Sequence, residues 1–323
     1  METMSQCEYV GPSGRHCAEE ATEGKRVCFW HDRDADKTGD DIKERLEQKA
    51  RALESCEGYE LMRANLEDAY LMELDLSHAN LERANLVDGH TYAVNLTGAN
   101  LLKADLRSAN LRESKLAGAD LLGANLDGAD LDLASWGENC VIRSHALADQ
   151  LTSQGDEIGP QAQYQQAVEI YRNIRQRYEA SGVTDIAGQF FYNEMVCKRM
   201  QMPKWSIRRF WSWLVDIICG YGEDPIRVLG FSVAVVLGCA VMFCLTGIGH
   251  GDNIYAFHLT NGFSEDLEIF AISVYYSIVT FTTLGYGDMV ALGWGKGLAA
   301  MEAFAGVFLN SMFLLTFAKK MVR

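Results

Sequence analysis

Thr282-Thr283-Leu284-Gly285-Tyr286-Gly287-Asp288 is the stretch on which the reading of this chain turns. Its two glycines reach φ > 0 without steric cost, so the backbone here can take a path closed to ordinary strands and helices. Directly before it, Ile269 to Phe281 is apolar but too short to cross ~30 Å of hydrocarbon, which suits a re-entrant helix shielded by protein. Val228 to Gly247, upstream, holds 20 residues without a charge, enough to span a bilayer as a helix. Gly297 to Ala318, downstream, is a second span, interrupted by Glu302, Asn310 and Ser311. Lys204, Arg208, Arg209 and Arg227 precede the first span, Lys319, Lys320 and Arg323 follow the second, and only Lys296 lies between. The positive-inside bias then predicts a multi-pass protein of a cell inner membrane or plasma membrane, with both termini cytoplasmic and the Gly249 to Asp266 loop outside.

Thr282 to Asp288 closely resembles the signature of potassium channels, with Leu284 where the commoner form has valine, and the likeness covers about the last hundred residues. The resemblance implies a homotetramer in the lipid bilayer that conducts K⁺ and catalyses no bond chemistry. Carbonyls of Thr283, Leu284, Gly285 and Tyr286, with the Thr283 hydroxyl, would replace the hydration shell of successive K⁺ ions, Thr282 and Gly287 completing the filter. Asp288 would hold its outer end through hydrogen bonds. Gly306 matches the family's usual hinge glycine, with a small packing residue as the close second reading; Asn310, one turn on, is expected to line the cavity. Glu302 is costly in lipid, so it should face protein near the filter, either tuning conduction or bonding structurally.

A different order governs residues 59–136. Leucine recurs every fifth residue at 61, 66, 71, 76, 81, 86, 96, 101, 106, 111, 116, 121, 126 and 131. Alanine usually stands two before it and Asn or Asp between, as in Ala64-Asn65-Leu66 and Ala119-Asp120-Leu121. Neither a helix nor a simple strand has this period. The pattern resembles the pentapeptide-repeat family, which implies a right-handed quadrilateral β-helix with four repeats per coil, leucine and the small residue inward. Four coils at the ~4.8 Å strand spacing would stand roughly 19 Å tall. Gly89-His90-Thr91-Tyr92 departs from the pattern, with threonine in a leucine position and Val94 in an alanine position; His90 and Tyr92 mark a bulge, a ligand contact or, as we favour, a tolerated kink. Some family members imitate duplex DNA as acidic rods. Here Arg63, Arg83, Lys103, Arg107, Arg112 and Lys115 break up the acidic surface, so a scaffold is expected and no nucleic-acid partner.

Cys7, Cys17, Cys28 and His31 follow the spacing C-x9-C-x10-C-x2-H among turn residues such as Gly11-Pro12-Ser13-Gly14. Three thiolates and an imidazole form a complete tetrahedral donor set for structural Zn²⁺, with His16 as a substitute donor and three free thiols as the alternative. About 25 residues cannot bury a core without such a staple. Nine cysteines, an odd number scattered over a long chain, suit a reducing compartment rather than a disulfide framework. Of 44 acidic and 29 basic residues only 9 and 8 lie from Lys204 onward, so nearly all of the net charge of −15 sits in the first two thirds, where it opposes contact with phosphate backbones. Met1 to Val10 lacks the apolar core of a cleavable signal.

Between the repeats and the first span, Tyr164, Ala167, Val168, Tyr171, Ile174 and Tyr178 recur at helical spacing up to Ser181-Gly182. A second helix is expected from Thr184 or Asp185, presenting Ala187, Phe190, Phe191 and Met195; the pair resembles a tetratricopeptide-type hairpin. Ile207, Phe210, Trp211, Leu214, Ile217 and Ile218 form another stripe beside Lys204, Arg208, Arg209, Trp205 and Trp213, the composition of an interfacial helix. The expected organisation is therefore multidomain: 1–39 zinc knuckle, 40–58 linking helix, 59–136 β-helix, 137–203 helical hairpin connector, 204–222 interfacial amphipathic helix, and 223–323 an α-helical two-span tetrameric pore domain. No arginine-rich helix precedes the first span and no G-x-G-x-x-G unit is present, which leaves voltage and nucleotides without an evident sensor. An unidentified cytosolic ligand or protein acting through the connector is the expected gating partner. The competing readings are a membrane-tethered repeat scaffold or DNA mimic, and a weakly selective cation channel.

Overall fold

The computed structural model describes residues 5–39, 41–155, 159–251, 253–257 and 263–321. The expected helix start at Asp40, part of the 249–266 loop and Arg323 lie outside the described residues. The chain divides into two compact units, Met1–Arg209 and Phe210–Arg323.

In the first unit the five-residue period becomes a β-helix of 20 residues per coil. Parallel bridges join Glu60 to Asn80, Asn80 to Asn100 and Asn100 to Asp120, and so on from Ser55 to Ser135. Every fifth residue from Gly58 to Leu133 takes positive φ, which turns each corner. Only some of these are glycine, so the remaining corners carry a left-handed cost of ~1–2 kcal/mol each, offset by burial of the leucine ladder. The Asn and Asp positions explain themselves: Asn85 Oδ1 accepts from the Val87 amide (3.2 Å), while Asn85 Nδ2 donates to Asn65 Oδ1 one coil below (3.0 Å).

At Gly89 to Val94 the coil keeps its register, because His90 still bridges both Tyr70 and Asn110. Thr91 is buried and its hydroxyl donates to the Asn110 carbonyl (2.8 Å), while the buried Ser114 hydroxyl donates to the Thr91 carbonyl (3.1 Å). Neither a bulge nor a kink forms, since side-chain hydroxyls supply the missing bonds.

Both ends of the β-helix are capped. At the first coil the Glu60 amide donates to the Trp30 carbonyl (2.8 Å), the Tyr70 amide to Glu47 (3.1 Å), and Lys43 reaches the Glu67 carbonyl (2.7 Å). Helix α1 (Asp41–Arg51) lays Ile42, Leu46 and Ala50 on the coil. At the last coil, side chains of α3 (Gly159–Ala180) act as the absent fifth coil would. Asn173 donates to the Ala124 carbonyl (2.8 Å), Arg177 to that of Ala129, and Tyr178 to that of Leu131 (3.0 Å).

Among its described residues the connector holds three α-helices rather than the expected hairpin: α2 (Arg143–Ser153), α3 and α4 (Thr184–Met200). The extra helix is short and largely polar, with a single alanine, Ala148, fully buried, so it leaves little apolar period to read. Trp136 closes this core by donating to the Tyr178 hydroxyl (2.8 Å) and packing on Phe190.

The second unit takes in most of α5 (Ile207–Cys219), then α6 (Pro225–Thr246), strands β1 (Ile248–His250) and β2 (Asn253–Tyr255), α7 (Phe263–Phe281), β3 (Val290–Ala291) and α8 (Gly295–Met321). Asp224 caps α6 ahead of Pro225, accepting from the Ile226 and Arg227 amides. Among the described residues, α6 and α8 are the two helices long and apolar enough to cross a membrane. Helix α7 starts six residues before the expected Ile269, and its acidic Glu265 and Asp266 suit the positive end of the helix dipole. The three short strands form one antiparallel sheet in the order β2-β1-β3.

Candidate functional site

Helix α7 ends at Phe281 and delivers the chain directly into Thr282 to Asp288. Its last turn is wound through Thr282 N to Ile278 O (2.9 Å), Thr283 N to Thr280 O (3.0 Å) and Leu284 N to Val279 O (3.1 Å). Beyond it the backbone hand alternates: Thr283, Gly285 and Gly287 have φ of 57°, 54° and 76°, and Leu284 and Tyr286 stay on the ordinary side. Alternation of right- and left-handed residues sets successive peptide dipoles alongside one another, where an extended strand would oppose them. Glycine makes two of the three left-handed positions free of strain; Thr283 carries the third, its hydroxyl donating to the Thr282 carbonyl (2.7 Å).

The far end of the stretch is pinned twice. The Tyr275 hydroxyl on α7 donates to Asp288 Oδ2 (3.1 Å), and His250 Nδ1 on β1 meets the Asp288 carbonyl (2.7 Å). Immediately beyond, β3 pairs with β1, Ile248 opposite Ala291 and Gly249 opposite Val290, while the Tyr276 hydroxyl accepts from the Ala291 amide (3.2 Å). The sequence motif points to Asp288 but to neither tyrosine nor His250, whose roles depend on side chains meeting across 13 to 38 residues.

Gly306 lies where α8 crosses the end of α7: a Cβ there would overlap the Phe281 carbonyl oxygen. Close packing is thus a role for this glycine visible in the fold. Asn310 is exposed on α8, and Leu284 and Tyr286 are exposed between α7 and β3. Glu302 is buried against α7, where its Oε1 bonds the Ser277 hydroxyl.

The second cluster is the amino-terminal one. A hairpin carrying the bridges Gln6 to Glu20 and Val10 to His16 brings Cys7 beside Cys17, and the short turn Phe29–His31 folds His31 back onto Cys28. The four donor atoms lie within 4.8 Å of one another. Observed separations are 3.7 Å for Cys7 Sγ to His31 Nδ1, 3.8 Å for Cys17 Sγ to Cys28 Sγ, and 3.3 Å for Cys28 Sγ to His31 Nδ1. A tetrahedron with Zn–S near ~2.3 Å has edges of ~3.7 Å, so the donor set fits zinc. His31 Nε2 meets the Glu57 carbonyl (2.9 Å), which places a proton on that nitrogen and leaves Nδ1 as the ligand. Burial pushes the Cys17 thiol up to about 12, raises Cys28 and lowers His31, because apolar surroundings favour the uncharged form of each donor. His16 is not in the cluster: it lies on the exposed strand of the hairpin, so the substitute-donor expectation is corrected.

Residues 230–323 match the family described as "Ion channel", and residues 60–88 and 95–132 match "Pentapeptide repeats (8 copies)", the gap between them falling on the Gly89 to Val94 departure. No curated protein matches the chain. Among solved structures, a pentapeptide repeat protein (Rfr23) from the cyanobacterium Cyanothece 51142 is 38% identical, over 24% of this chain and 53% of its own, with a TM-score of 0.23. HetL, a pentapeptide repeat protein involved in heterocyst differentiation regulation from the cyanobacterium Nostoc sp. strain PCC 7120, is 41% identical over 24% of this chain and 34% of its own, with a TM-score of 0.15. The chain thus spans about half of the first and a third of the second. It carries a pentapeptide-repeat β-helix followed by a two-span membrane domain of the ion channel family.

Proposed function

We propose that this ion channel is a K⁺-selective homotetramer whose filter is Thr282 to Asp288, with both termini cytoplasmic. The observation that carries the reading is the alternating hand at Thr283, Gly285 and Gly287, directly after a helix that ends between two spans. Four such segments about an axis would surround a dehydrated cation with carbonyl oxygens, and the carboxyl end of each α7 would turn partial negative charge toward the cavity below. Asp288, held by Tyr275 and His250, would keep the outer mouth from collapsing. Asn310 would line the cavity, and Gly306 would let α8 seat against α7.

Zinc on Cys7, Cys17, Cys28 and His31 is structural in this reading, because four protein ligands leave no open position. The knuckle closes the first coil of the β-helix, and the repeat domain serves as a cytosolic module that carries a signal along the chain through the connector and α5 to the pore.

The test is the reversal potential of the purified protein in planar bilayers, K⁺ on one side and Na⁺ on the other, with Gly285→Ala alongside. Reversal near the K⁺ equilibrium value, lost in the variant, is the expected result. Reversal near zero in the wild type would favour a weakly selective cation channel. Silence that persists after removal of residues 1–203 would favour the membrane-tethered scaffold.

A further inference from the structure

Glu302 is the only charged residue between Gly297 and Ala318, and it is 2% exposed. An ionisable group at that depth is expensive unless its partners use it. Its Oε1 bonds the Ser277 hydroxyl of α7, itself fully buried, and that same hydroxyl lies 2.8 Å from the Val236 carbonyl of α6. Counting protons decides how the three groups are arranged. The serine has one hydroxyl proton and the carbonyl can only accept. If serine gives its proton to Glu302, two bare acceptors face each other at Val236. If it gives the proton to Val236, its oxygen accepts from Glu302. Both contacts are full two-centre hydrogen bonds only when the carboxyl is the donor, an arrangement in which the glutamate works as a hydrogen-bonding group and not as a charge. Among the described residues no side chain or backbone group meets Glu302 Oε2 with full hydrogen-bond geometry, and the Cys239 thiol of α6 stands beside the same carboxyl.

Three buried residues of α7, Ser273, Ser277 and Phe281, recur at intervals of four and so share one face. Each meets a different anchor. Cys244 of α6 donates to Ser273 (3.2 Å), Glu302 and Val236 hold Ser277, and Gly306, one turn beyond Glu302 on α8, receives the Phe281 carbonyl. Ser277 sits at the only one of these points where both spans reach α7 through polar groups.

We propose that Glu302 is a positioning residue for selectivity: through Ser277 it ties α7 to both spans and so fixes where Thr282 to Asp288 begins. The inference rests on the channel reading above. Its test compares wild type, Glu302→Gln, Glu302→Leu and Ser277→Ala in bilayers, reading the Na⁺/K⁺ permeability ratio and the decay of current at constant voltage. The glutamine variant, neutral and able to donate, should keep the wild-type ratio. Glu302→Leu and Ser277→Ala should raise the ratio about tenfold, the factor that corresponds to one lost buried hydrogen bond. A purely structural role would lower the yield of assembled protein and leave the ratio of the surviving channels unmoved. Should Glu302→Leu fail to assemble, the pair Ser277→Ala and Glu302→Gln still decides. An unchanged ratio in Ser277→Ala, or a glutamine variant as unselective as the alanine one, overturns the proposal while wild type remains selective. A wild type that does not discriminate overturns the channel reading, and this inference with it.

Discussion

A glycine in a membrane helix has two reasons to exist, flexibility and proximity, and at Gly306 proximity has a named partner. The Phe281 carbonyl occupies the space a Cβ would need. That carbonyl belongs to the last residue of α7, immediately before Thr282, so any displacement there is passed to the candidate filter within one peptide unit. Gly306→Ala should therefore cost ~1–3 kcal/mol of overpacking strain, relieved only by moving α7 away from α8. A hinge role predicts altered opening with intact selectivity, because alanine is a good helix former that stiffens α8 without displacing the filter. Close packing predicts weakened assembly and a raised Na⁺/K⁺ permeability ratio together. Measuring the yield of assembled protein in detergent and the permeability ratio of the same preparation separates the two; we expect both to change.

At the scale of elements, what was readable depended on whether a signal is periodic or relational. The five-residue leucine ladder announces a β-helix because each Leu buries alike, and the apolar lengths announce two spans with a shorter helix between. The left-handed corners at Arg63, Arg83 or Glu113 were not legible, since those residue types do not advertise positive φ. Nor was α2, whose burial rests on Ala148 and on polar contacts of His145. The caps were hidden for the same reason: Asn173 and Arg177 find their carbonyls 48 or 49 residues away. The donor spacing at Cys28 and His31 was visible, but the stacking of Trp30 on Tyr59 (centroids 5.1 Å apart), which seats the knuckle on the first coil, was not. That contact gives the metal a consequence beyond its own loop. If zinc holds the knuckle, chelation should expose the Glu60 and Tyr70 amides and lower the melting temperature of the repeat domain by ~10 °C or more, with restoration by added Zn²⁺. Cys28→Ser should mimic the chelator and abolish its effect. A melting curve indifferent to both would leave three free thiols as the better reading.

The whole molecule combines one unit folded by water with one whose apolar surface requires lipid, and they should answer pH differently. The acidic surplus lies almost entirely before Lys204, in the unit folded by water. In that unit His145 on α2 is a group whose protonation is tied to folding. It is buried, with Asp149 on its own helix 3.6 Å from Nε2, the Tyr171 hydroxyl of α3 2.9 Å from Nδ1, the Tyr164 ring of α3 at its edge, and the Cys197 thiol of α4 in the same core. Burial lowers its pKa, and the half-exposed Asp149 only partly opposes this. A histidine whose folded value lies below the unfolded one binds more protons when unfolded, so its contribution to stability is present above the ordinary histidine value and lost as pH falls. The full chain in detergent should accordingly melt in two steps, and acidification from pH 7.5 to 5.5 should lower the first by roughly 2–4 °C for each kcal/mol lost while leaving the second in place. Zinc loss adds to the same slope, so the comparison that isolates His145 is His145→Gln in identical buffer. Glutamine can still bond the Tyr171 hydroxyl but cannot titrate, and its first transition should be flatter with pH than that of the wild type. Equal slopes in the two proteins would show that the acid sensitivity does not come from His145.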